Sequence, residues 1–155
     1  MKYSEIKTKL LEQRKIALIE KDEVKKSIIS ILSSRLNLLN KELEMKGQQI
    51  TETDVISILS NELKQTKEAL IEAEKFNRED AIKTATEQIK FIESFLPKQL
   101  NEEEIKEFII NTINDLGITE PTNKDMGRIM KVVSPALKGK ADGKLVSNLV
   151  KSLLN

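Results

Sequence analysis

Apolar residues along the chain recur at three- and four-residue intervals nearly everywhere, the spacing that puts them on one face of an α-helix. A first amphipathic helix is marked by Ile6, Leu10, Leu11, Ile16, Leu18 and Ile19. Asp22 is placed to cap a second, with Ile28, Leu32, Leu36, Leu39 and Leu43 on its face and Gly47 to end it. Thr51 and Asp54 form a capping-box pattern ahead of a third helix carrying Val55, Leu59, Leu63, Leu70 and Ala73. Asn77 and Asp80 repeat that start signal before Ile82, Ala85, Ile89, Ile92 and Leu96.

At Leu96-Pro97 the pattern breaks, because proline lacks an amide donor and restricts the residue before it. Asn101 with Glu104 then starts a fifth helix with Ile105, Phe108, Ile109 and Ile113 inward and Gly117 after it. The consecutive acids Glu102, Glu103 and Glu104 suit the positive end of the helix dipole; neighbouring helical positions do not converge on a metal. Asn123 is expected to cap a sixth helix, with Met126, Ile129, Met130 and Val133 in the core. A seventh carries Leu145, Val146, Leu149, Val150, Leu153 and Leu154. No strand alternation and no internal repeat occurs. The fold class is all-α: a helical N-terminal domain of about four helices paired as hairpins, residues 1–96, and a small three-helix C-terminal domain, residues 97–155. Helices as short as those after Pro97 are marginal alone, so they must fold against one another.

The 155 residues carry a formal net charge of only +1, so any basic surface is local. Residues 97–122 hold two lysines and six acids, whereas residues 123–155 hold Lys124, Arg128, Lys131, Lys138, Lys140, Lys144 and Lys151 against Asp125 and Asp142. The basic residues gather around ALKGKADGKLVSNLV, from Ala136 to Val150. Gly139 and Lys140 there precede a helix start, where free amides and the helix dipole favour an anion such as a nucleic-acid phosphate. Asp142 weighs against a simple anion site, since as an N-cap it takes the same amides. The competing reading is a tight turn in which Gly139 ends one helix, Asp142 starts the next and the lysines are solvated. Lys124, Arg128 and Lys131 share one helix face that either extends a basic patch or is an ordinary wet surface.

The chain has neither Cys nor His. No thiolate nucleophile, His-dependent triad or His/Cys metal site is therefore possible. Lys64 and Lys67 are placed to pair with Glu68 and Glu72. Ser33, Ser34 and Ser60 have no base in view. One Tyr, four Phe and no Trp argue against a base-stacking platform. The N-terminal stretch lacks the features of a secretion signal, and no apolar run is long enough to span a bilayer. The expectation is a soluble, cytoplasmic protein with no membrane partner, no metal and no cofactor.

Two stretches together, FIESFLPKQLNEEEI (Phe91 to Ile105) and KDMGRIMKVVSPALKGKADGKLVSNLVKSLL (Lys124 to Leu154), resemble the GatB/YqeY family. NELKQTKEAL (Asn61 to Leu70) and NRED (Asn77 to Asp80) extend the resemblance over essentially the whole chain, although Thr66 and Ala69 stand where the family often has Arg and Ser. The resemblance implies a helical N-terminal domain followed by a tail domain. That tail is similar to the C-terminal domain of GatB, a component of the glutamine-dependent aspartyl/glutamyl-tRNA amidotransferase, where it helps hold tRNA. The resemblance carries a carbon–nitrogen ligase label with glutamine as amido-N-donor. The catalytic cradle of GatB and the serine–lysine amidase machinery that works with it are absent here, as is any nucleotide-binding motif. The implied role is thus a non-catalytic tRNA-binding or accessory module; the alternative is a module docking on an amidotransferase or aminoacyl-tRNA synthetase. The positions carried over for RNA contact are Lys124, Gly127, Arg128, Lys131, Lys138, Gly139, Lys140, Gly143 and Lys144.

Overall fold

Most helices begin where a side chain accepts from the unpaired amides of the first turn. In the computed structural model, which describes residues 1–155, seven α-helices follow one another without a strand: α1 (Tyr3–Glu20), α2 (Glu23–Met45), α3 (Glu52–Lys75), α4 (Glu79–Glu93), α5 (Glu102–Asp115), α6 (Met126–Leu137) and α7 (Gly143–Ser152). The Lys25 amide donates to Asp22 Oδ1 at 3.0 Å. Thr51 and Asp54 form the full reciprocal box at α3, as do Asn101 and Glu104 at α5. Gly47 and Gly117 take positive φ after α2 and α5, and the following amides, of Gln48 and Ile118, turn back to the carbonyls of Leu43 and Ile113. These are the left-handed stops that glycine adopts without a Cβ penalty.

Two starts differ from the sequence pattern. Asn77 does not cap α4. It sits at φ 52°, and the Arg78 amide after it donates to the Ala73 carbonyl at 2.9 Å, closing α3. Asparagine tolerates the left-handed region, so the same residue type serves as a stop here rather than a start. The cap position of α4 is Arg78, with no side-chain bond, and Glu79 and Asp80 supply the favourable charge instead. Likewise Thr122, not Asn123, starts the sixth segment: its amide donates to Asp125 Oδ2 at 2.9 Å, and a 3₁₀ turn, Asn123–Asp125, leads into α6.

The chain divides into two compact units, Met1–Leu96 and Pro97–Asn155. In the first unit, α1 packs on α2, α3 pairs with α4, and α2 touches both α3 and α4. Its core is built from Ile6, Leu10, Ala17, Ile28, Ile29, Leu32, Leu36, Val55, Leu59, Leu63, Phe91 and Ile92. The inward face of α1 is narrower than its apolar content implies. Ala17 is buried, whereas Leu11, Ile16, Leu18 and Ile19 are all exposed. α1 packs mainly on α2, so only one stripe is covered. Across the α2–α3 seam, Arg35 Nε lies 2.8 Å from Glu62 Oε2, and Arg35 Nη2 donates to Gln65 Oε1 at 3.2 Å. Glu62 is buried, and its Oε2 has the ion pair but no aligned hydrogen bond. Lys67 reaches Glu93 on α4 at 3.6 Å instead of pairing along its own helix. α4 stops at Glu93, short of Leu96; Phe95 and Leu96 continue as single turns whose amides bond to Ile92 and Glu93 before Pro97.

In the second unit α5, α6 and α7 contact one another in all three pairs. Ile105, Ile109, Ile113, Ile129, Val133, Leu137, Val146, Leu149 and Val150 fill the centre. Met126 and Met130 pack at its edge, and Leu145 is exposed, so the α7 face starts at Val146. Two backbone bonds join distant segments: the Leu100 amide to the Lys140 carbonyl and the Asn155 amide to the Pro121 carbonyl, each 2.9 Å.

The cap of α5 yields a pH signature. The Glu104 carboxylate accepts from the Asn101 amide and lies beside the Lys98 ammonium, and these hold its pKa below the ordinary 4.5, the backbone hydrogen bond contributing most. A carboxylate with a depressed folded pKa stabilises the fold above its unfolded pKa, and that contribution is lost as pH falls through the folded one. Side-chain NMR titration should find Glu104 below 4.5. In Lys98→Ala it should move up only part of the way; a full return to the ordinary value would make the lysine, not the cap, the dominant cause.

Candidate nucleic-acid interface

The nine positions singled out in the sequence all fall in the second unit, and the core decides which way they point. Ile129, Val133 and Leu137 recur every four residues and face inward on α6. Gly127, Arg128 and Lys131 are consequently exposed on the opposite side, and Lys124 is exposed in the 3₁₀ turn before them. Lys138, Lys140 and Lys144 are exposed around the α6–α7 turn. The structure therefore forms two basic groups, one along the outer face of α6 and one at its C-terminal end. The unit's ion pairs, Lys98–Glu104 and Lys106–Glu102, involve none of these residues.

Gly139 is not part of an open amide cradle. It is buried, at φ 79°. Its carbonyl accepts from Gln99 Nε2 at 2.6 Å. The amides of Lys140 and Ala141 both donate to the Leu137 carbonyl, at 2.9 and 3.1 Å, and the Lys140 carbonyl accepts from the Leu100 amide. Asp142 caps α7, accepting from the Leu145 amide at 3.2 Å. Several of the turn's polar groups are therefore bonded internally, and its lysine side chains extend outward from it. Gly139 shapes the turn on which those side chains are mounted. Gln99, which ties the turn down from a distant segment, carries no local signal that could have marked it.

Gly127 and Gly143 are different. Both sit in the first turn of a helix with ordinary φ, and a Cβ at either would meet nothing within 4 Å. The fold does not require glycine at either position. Beside Arg128 and Lys144 they leave bare backbone next to positive charge.

The first unit offers a groove of about 690 Å³ lined by Lys9, Lys25 and Lys90 against Glu12, Asp22 and Glu87, with Phe91 and Phe95 also in its wall. Its charges balance, and it gathers no nucleophile with an adjacent base. No group of three or more Asp or Glu side chains converges as a metal site.

An all-helical chain of two units, the second with a basic turn, is the class these observations define. The chain belongs to the YqeY-like protein family, whose sequence model matches residues 7–154. Among curated proteins it is similar to the altered inheritance of mitochondria protein 41, mitochondrial, of Kluyveromyces lactis, 27% identical over 116 residues covering 73% of this chain and 61% of that protein. The protein of the same name from Vanderwaltozyma polyspora is 29% identical over 122 residues, 77% of this chain and 65% of that protein. The chain thus spans less than two thirds of either relative.

The two kinds of glycine separate by stability. Gly139→Ala forces a left-handed Cβ and should cost about 1–2 kcal/mol, whereas Gly143→Ala should change stability by less than about 0.5 kcal/mol. Urea denaturation followed by circular dichroism distinguishes them.

Proposed function

We propose that this chain is a non-catalytic accessory protein that binds tRNA through the basic face of its second unit, in the manner of an amidotransferase-related tail domain. The observation that carries the reading is the set of exposed cations, Lys124, Arg128, Lys131, Lys138, Lys140 and Lys144, mounted on α6 and on a turn held by backbone bonds at Leu137, Gly139 and Lys140. The mounts hold the positions from which these flexible side chains reach outward, and neutralising phosphates with such cations releases counterions and drives binding. Gly127 and Gly143 support it, since a phosphate or ribose can approach backbone that no side chain shields. The carbon–nitrogen ligase label attaches to the amidotransferase machinery in this reading, not to the chain. A second reading, docking onto an amidotransferase or synthetase, draws on Ile110, Val132 and Leu145, which are large, apolar and exposed in the same unit. As to compartment, no helix is long and apolar enough to cross a membrane. An aqueous, reducing compartment is proposed, the cytoplasm or, by analogy with relatives whose names carry the word mitochondrial, the mitochondrial interior.

Fluorescence anisotropy with total tRNA across a salt series tests the first reading. Binding should weaken linearly in log–log form. Lys138→Ala, Lys140→Ala and Lys144→Ala combined should flatten the slope by about 2–3, near 0.9 for each phosphate no longer neutralised. Absence of binding at low salt by a folded chain sinks the tRNA reading and leaves nuclease-resistant co-purification of a protein partner as the expected outcome.

A further inference from the structure

The outward side of α1 is the least explained surface of the first unit. Leu11 and Leu18 are half exposed and Ile19 is 83% exposed. At 3.6 residues per turn, Lys7, Arg14 and Lys21 fall in one column, the last at the helix C-cap. Ser4, Leu11 and Leu18 fall in the next column, Thr8 and Lys15 in a third, and Ile19 at the far edge. This arc covers roughly 160° of the helix and contains four cations, three large aliphatics, Ser4, Thr8, the part-buried Tyr3 and no acid. Glu5, Glu12 and Glu20 all lie on the other flank, where Glu12 lines the groove shared with α2 and α4. Lys7, Arg14, Lys15 and Lys21 are exposed and form no ion pair. The Lys7 ammonium lies 5.9 Å from the centre of the Tyr3 ring.

The occupant follows from what this mixture can satisfy. Phosphates of a nucleic acid would answer the cations and leave Leu11, Leu18 and Ile19 in water. A helical protein partner would need two adjacent apolar columns to form a seam, and both columns beside Leu11 and Leu18 are polar or cationic. A second copy of α1 would bring like charges together. A bilayer surface with anionic headgroups takes all of it: aliphatic side chains enter the headgroup–acyl boundary, while lysine and arginine stems reach back to the phosphates. We propose that α1 is a peripheral helix that lies on anionic lipid surfaces. It rests on the membrane and does not cross it, in keeping with the lack of any spanning helix.

Co-sedimentation of the full chain with vesicles of phosphatidylcholine alone, and of phosphatidylcholine with phosphatidylserine, provides the test. Binding is expected to the second only. Lys7→Gln, Arg14→Gln and Lys21→Gln combined should weaken it roughly 100-fold. Leu11→Ser with Leu18→Ser should weaken it clearly, though salt sensitivity remains. The triple alanine change at Lys138, Lys140 and Lys144 should leave it unchanged. All these positions are exposed, and circular dichroism verifies that each variant is folded. Because the chain has no Trp, Ile19→Trp is a single reporter: its emission should shift to the blue on anionic vesicles, whereas Ile71→Trp, at an exposed position of α3, should not respond. The proposal is overturned if anionic vesicles do not retain the folded chain, if the leucine pair has no effect, or if the second unit's lysines account for the binding.

Discussion

A helical protein satisfies nearly all of its backbone hydrogen bonds inside its own helices, so the places where backbone must bond across the chain fix its geometry. In the second unit that place is the turn from Leu137 to Asp142. One carbonyl, of Leu137, serves two amides, and the carbonyls of Gly139 and Lys140 are taken by Gln99 and Leu100. The arrangement exists only because Gly139 adopts φ 79°, which lets the chain reverse without a Cβ in the way. The directions of α6 and α7, and with them the outward placement of the basic side chains, depend on that reversal. α5, α6 and α7 hold 14, 12 and 10 residues, lengths that do not persist alone in water.

The first unit is held differently. No backbone bond ties its distant segments. Apolar burial joins the helices, and a polar clasp of Arg35, Glu62 and Gln65 crosses the α2–α3 seam. A buried carboxylate is expensive unless paired, so Glu62 fixes where Arg35 must lie more than it adds net stability. α1 has no such clasp. Its Tyr3 hydroxyl donates to Asn37 at 3.0 Å, and the rest of its hold on α2 is one narrow apolar stripe.

Local signals in the sequence carried most of the helix boundaries. Asp22, Thr51, Asn101, Gly47 and Gly117 each act through bonds within a few residues, which is why they are readable. The all-α class follows from periodicity that repeats in every segment. Asn77 misleads because asparagine suits both a cap and a left-handed stop, and neighbouring charges do not separate the two. The face of α1 misleads for another reason: apolar residues encircle the helix, and only its packing on α2 shows that Ala17 is inside while Ile19 is out. At the candidate interface the lysines are legible as a basic cluster, since charge needs no partner to be counted. The burial of Gly139 is not legible, because it depends on Gln99, forty residues away in sequence.

Helices that follow one another in the chain are also the ones that pack: α1 on α2, α3 on α4, α5 on α6, α6 on α7. Such a topology has low contact order, and loop closure costs little before each contact is rewarded. Hairpins can therefore form early and independently. The steps that must wait include the α2–α4 contact in the first unit and, in the second, the α5–α7 contact and the Leu100–Lys140 and Asn155–Pro121 bonds. The bridge that holds the α6–α7 turn therefore joins segments that only the assembled unit brings together.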